Sequence, residues 1–102
     1  LVESRFSQGL YFLDEPEAAL SPQRQLEFLV LLDSLVQQDS QLVIATHSPI
    51  IMSYPKARVY AFGERGIVPI AYQDTEHYRV TRTFLENPSR MLKHLLEQAE
   101  DD

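Results

Sequence analysis

Cysteine is absent from this chain of 102 residues. That excludes disulfides, a thiol nucleophile and a thiolate metal site, and it fits a reducing compartment. Glycine is scarce: Gly9, Gly63 and Gly66 are the three in the chain. None sits in the G-x-x-x-x-G-K-[ST] pattern by which backbone amides and a lysine cradle phosphates. Positive charge is also in deficit, with 9 Lys and Arg against 15 Asp and Glu and a formal net charge of −6. Phosphate contacts need clustered bases, so this stretch alone is not expected to bind nucleic acid, although a larger parent could. No apolar run approaches the roughly 18 residues of a membrane span, and no signal-peptide pattern opens the chain. The expectation is a soluble, cytoplasmic protein.

What is present reads as globular, since 44% of residues are hydrophobic and 24% charged. The length suits one small domain. The first residue is Leu1, and residues 1 to 6 read as the tail of a helix, so the chain is expected to be a piece of a longer protein. Leu10-Tyr11-Phe12-Leu13 is a continuous apolar run, which predicts a strand buried on both faces. Ser21-Pro22 is a cap followed by a first-turn proline, and it predicts a helix from Pro22 to about Gln38. The apolar stripe of that helix is wide, so two of its sides are expected to meet other structure. Leu42-Val43-Ile44-Ala45 is a second apolar run. Strand, helix, strand at these lengths predicts a right-handed crossover with parallel strands.

Ser48-Pro49 repeats the cap signal and predicts a short helix to about Tyr54. Arg58 to Phe62 and Ile67 to Tyr72 read as a hairpin around Gly63-Glu64-Arg65-Gly66, with Pro69 confined to an edge. Asp74 is expected to cap a helix from Thr75 to about Glu86, with Tyr78, Phe84 and Leu85 turned inward. Asn87-Pro88 opens a last helix whose apolar face carries Met91, Leu92, Leu95 and Leu96. Residues 97 to 102 read as an acidic, frayed tail. The expected organisation is an α/β core with hairpin over 1–74 and a helical tail over 75–102.

In open parallel sheets, ligands bind beyond the carboxyl ends of the strands. Asp14 and Glu15 follow the first strand, and Thr46-His47-Ser48 follow the second. If the strands are parallel, these groups share one rim. An Asp-Glu pair alone is more often a solvated strand end, and a lone His before Ser-Pro is more often structural. Their coincidence at matching ends raises the case for a site. Glu17 reads as a loop residue, and Glu27, Asp33 and Asp39 as parts of the solvated helix face or its end. His77 and His94 read as surface or packing residues, and Tyr11, Phe12, Phe28 and Phe84 as core.

Leu10-Tyr11-Phe12-Leu13-Asp14-Glu15 resembles the Walker B motif of ABC-type ATPases. Pro16-Glu17-Ala18-Ala19-Leu20-Ser21 resembles the D-loop that follows it, and Ile44-Ala45-Thr46-His47-Ser48 resembles the switch-histidine loop. The wording is most similar to soluble ABC-type ATPases grouped as AAA-family ATPases. DNA-repair ATPases and the ATPase portions of some phage-defence nucleases are among their relatives. The resemblance covers residues 9 to 54. It implies part of a P-loop NTPase fold with parallel strands, a crossover helix, a C-terminal hairpin and two C-terminal helices.

By that resemblance Asp14 helps to hold Mg²⁺, with Glu15 beside it at the metal. Glu15 activates the attacking water, and His47 contacts the γ-phosphate of ATP. Residues Ala18-Ala19-Leu20 would meet a second ATPase subunit in a homodimer. Two departures stand out. Ser21 occupies the place where transporters of the family carry an Asp, and the P-loop, glutamine loop and signature motif are missing. The isolated chain is therefore expected to be inactive. Two alternatives remain open at this level: a metal-dependent nuclease or phosphatase site built from Asp14, Glu15, Glu17 and His47, and a non-enzymatic α/β association module.

Overall fold

The computed structural model describes residues 9 to 101. The expected helix tail at residues 1 to 6 lies outside them. Two compact units divide the chain, one reaching to Ala57 and the other beginning at Arg58. The hairpin therefore groups with the C-terminal helices.

In the first unit, β1 (Leu10–Asp14) and β2 (Gln41–Ala45) pair directly and in parallel, from Leu10 opposite Gln41 to Asp14 opposite Ala45. Helix α1 (Pro22–Gln37) makes the crossover. Ser21 starts it as expected: its side chain accepts the Arg24 N–H at 3.2 Å, and Pro22 occupies the first turn. The helix stops in a double backbone return, with Asp39 N–H on the Val36 carbonyl and Ser40 N–H on the Leu35 carbonyl, each at 3.1 Å. Asp39 takes the left-handed conformation (φ 63°) that this ending requires and that glycine usually supplies.

Leu32, Leu35, Ile51 and Tyr54 form the buried apolar centre of this unit. Burial along both strands alternates, so β1 is not covered on both faces as its apolar run predicts. Tyr11, Leu13, Leu42 and Ile44 turn one way and are half-buried, whereas Phe12 is 71% exposed. Among the described residues, the sheet has two strands and one covered face. The same limit applies to α1, whose Leu26, Val30 and Leu31 remain exposed. The helix expected after Ser48-Pro49 is only a 3-10 turn, Ile51–Ser53. Ser48 Oγ accepts both the Ile50 and Ile51 amides at 3.2 Å, which satisfies the donors before a full helical turn forms.

In the second unit, β3 (Tyr60–Gly63) and β4 (Gly66–Pro69) form an antiparallel hairpin. Both strands are shorter than expected. Gly66 has φ 93°, a conformation open to glycine without steric cost. Tyr72–Asp74 is a 3-10 turn, and helix α2 runs over Glu76–Glu86. Its cap is Thr75, not Asp74: Thr75 Oγ1 accepts the Tyr78 N–H at 3.2 Å. Tyr78 and Phe84 are half-buried, but Leu85 is exposed. Asn87 caps helix α3 (Pro88–Asp101) by accepting the Arg90 N–H at 3.2 Å. That helix continues to Asp101, through the segment expected to fray, and Leu92, Leu95 and Leu96 on its apolar face are exposed. No described helix is long and apolar enough to cross a membrane.

Candidate functional site

Because β1 and β2 are parallel and adjacent, their carboxyl ends lie at one rim. Asp14 ends β1 opposite Ala45, the last residue of β2, and its side chain is exposed. The ladder gains one more bond beyond it, from Glu15 N–H to the Ala45 carbonyl at 2.7 Å. There the backbone leaves the strand. Glu15 sits in the left-handed region (φ 48°, ψ 56°), which is uncommon for a residue with a β-carbon. Pro16 then opens a 3-10 turn, Pro16–Ala19.

The turn at Glu15 carries its side chain to the chain leaving β2. Glu15 Oε1 stands 3.4 Å from His47 Nε2, and both side chains are open to solvent, 54% and 72% exposed. The shared rim expected for Asp14, Glu15 and His47 is therefore where these residues lie. A carboxylate and an imidazole at this separation can share a proton or flank a small polar group.

Glu17 lies in the 3-10 turn after β1, but its side chain is tied down. It is half-buried, and its two oxygens bind two consecutive residues of the other strand end. Thr46 Oγ1 donates to Oε1 at 2.6 Å, and the His47 N–H donates to Oε2 at 2.8 Å. Burial pushes the Glu17 carboxyl up, but these hydrogen bonds outweigh it and hold the group below its ordinary value. Ser48, which is buried, donates its hydroxyl to Gln25 Oε1, and its N–H bonds Thr46 Oγ1 at 3.0 Å. Neither Glu17 nor Gln25 was recognisable from spacing, because their partners lie 29 and 23 residues away. The available signal was the half-buried position that Thr46 takes once β2 pairs with β1.

The four-ligand metal site of the nuclease alternative is not assembled. The Glu17 oxygens face Thr46 and the His47 amide, and among the described residues no three His, Cys, Asp or Glu side chains are grouped to hold a metal ion. His77 and His94 belong to the second unit.

A family profile described as the AAA ATPase domain matches residues 2–52, which is half of the chain and contains Asp14, Glu15, Glu17 and His47. The chain belongs to the AAA ATPase domain family. Neither a search of curated proteins nor one of solved structures found a match. Membership of the AAA ATPase domain family carries an ATPase-related function, with nucleotide as the ligand. The α/β unit with its parallel pair is consistent with part of a P-loop NTPase fold. The carboxylates at the rim of this AAA ATPase domain suit Mg²⁺, a hard cation that takes one or two carboxylates and keeps several waters.

Proposed function

We propose that the chain is the C-terminal part of a cytoplasmic ABC-type ATPase, in which residues 10 to 15 serve as Walker B and residues 46 to 48 as the switch loop. The observation that carries this reading is the 3.4 Å approach of His47 Nε2 to Glu15 Oε1 at the ends of two adjacent parallel strands. Asp14 and Glu15 would hold Mg²⁺. When bound, the ion would neutralise phosphate charge. Glu15 then orients the attacking water and accepts its proton. His47 would contact the γ-phosphate and help to align the water. Such roles match phosphoryl transfer, where positioning and electrostatic stabilisation do most of the catalysis. Ala18 and Ala19, small and exposed, suit contact with a second ATPase subunit.

The described residues supply the water-activating side of such a site. The cradle for the phosphates has no counterpart in the 102-residue sequence. The purified chain is therefore expected to show no ATP turnover. In a protein that carries this segment together with a P-loop, Glu15→Gln should retain ATP binding, slow hydrolysis by about a hundredfold or more and prolong the ATP-bound dimer. Mg²⁺-dependent turnover by the chain alone, or unchanged turnover in the Glu15→Gln protein, would overturn the proposal.

A further inference from the structure

We infer that Glu17 is a positioning residue for His47: its carboxylate grips the Thr46 hydroxyl and the His47 amide and thereby sets the imidazole against Glu15. The inference rests on the reading of Glu15 and His47 as the hydrolytic pair. Its basis is geometric. One carboxylate makes two short bonds to two successive residues, 2.6 Å to the Thr46 hydroxyl and 2.8 Å to the His47 amide. Two bonds to adjacent groups fix rotation as well as distance, which a single bond does not. The amide that is held belongs to His47 itself.

The grip is closed into a ring. Leu20 N–H bonds the Glu17 carbonyl at 2.9 Å. The Leu20 carbonyl accepts Gln25 Nε2 at 3.2 Å, and Gln25 Oε1 accepts the Ser48 hydroxyl. Ser48 N–H reaches Thr46 Oγ1, and Thr46 returns to Glu17. The ring ties the loop after β1, the first turn of α1 and the loop after β2 into one hydrogen-bonded unit. Outside it stand the two side chains assigned to the chemistry. Glu15 and His47 are exposed, and His47 is placed through its main chain rather than by burial. Thr46 is central because its hydroxyl donates to Glu17 while the same oxygen accepts the Ser48 N–H. Valine at that position keeps the shape and removes both bonds, whereas serine keeps the hydroxyl.

The test is NMR on the full chain, without nucleotide. Glu17→Gln and Thr46→Val should each speed exchange of the His47 amide by about tenfold or more, the loss of a charge-assisted bond or its anchor. The His47 ring resonances should move as its contact with Glu15 loosens, while the Leu32 and Leu35 amides keep their protection. Thr46→Ser should restore the His47 signals. If Glu17→Gln unfolds the chain, Thr46→Val and Thr46→Ser still decide the matter. His47 exchange and ring signals unchanged in Thr46→Val would overturn the inference. Neither readout involves ATP, so failure of the ATPase reading and failure of this one are separate results.

Discussion

The backbone at Glu15 is the most informative single residue. A left-handed conformation in a residue with a β-carbon costs roughly 1–3 kcal/mol and persists where surrounding bonds impose it. Here the Glu15 N–H is fixed to Ala45, and its carbonyl accepts the Ala18 N–H at 3.0 Å. Glycine would take this conformation without penalty, yet the position carries a carboxylate. Glu15→Gly should therefore raise stability by about 1 kcal/mol in urea denaturation while removing the group that faces His47. A loss of stability would show that the side chain itself supports the fold. The shared rim of Asp14, Glu15 and His47 was legible in the sequence because apolar runs mark strand ends, and parallel strands bring their ends together. Glu17 was not legible. Its role depends on the Glu15 turn and on partners in the loop after β2, and no local pattern announces either.

Among elements, starts were easier to read than lengths. Ser21, Ser48 and Asn87 each precede a proline, and each uses its side-chain oxygen to accept backbone amides. Asp74 and Thr75 are both good caps, and sequence alone ranks them poorly; the 3-10 turn takes up Asp74 as its last residue and leaves the position to Thr75. Asp33 illustrates the limit of reading a helix face as solvated. Its Oδ1 accepts the Tyr54 hydroxyl at 2.6 Å and its Oδ2 the Gln37 amide at 2.7 Å, which fastens the 3-10 segment after β2 to α1. The hydrogen bond to Asp33, with burial and the carboxylate charge, pushes the Tyr54 hydroxyl from 10.0 up to about 12. Folding thus favours neutral Tyr54. Its contribution is complete below pH 10 and is lost as pH rises toward 12. Tyr54→Phe should cost about 1 kcal/mol at neutral pH, and the gap between the two chains should close between these limits in denaturation curves. A gap that stays constant to pH 12 would mean that Asp33 does not hold the Tyr54 hydroxyl neutral, and no gap at neutral pH would mean that the hydroxyl makes no net contribution.

At the scale of the whole molecule, exposed apolar surface marks where sequence and structure diverge. The run Leu10 to Leu13 has the composition of a strand covered twice, but one face of the β1–β2 pair is open, with Phe12 beside Val43 in register. The hairpin repeats the pattern in its own unit, where Phe62 opposite Ile67 is 83% exposed. Composition records every surface a strand has, and it cannot say which of them this chain covers. The distinction is measurable at Phe12. Truncating a buried phenylalanine typically costs about 3–5 kcal/mol. An aromatic ring already 71% in water has little burial to lose, so Phe12→Ser should cost no more than about 1 kcal/mol, the span of strand propensity. It should also reduce self-association, since contiguous exposed apolar side chains drive it. Urea denaturation and light scattering on the same samples separate the two effects. A cost near that of a core residue would mean that Phe12 is covered in solution, and that the open face of the sheet is closed by the chain itself.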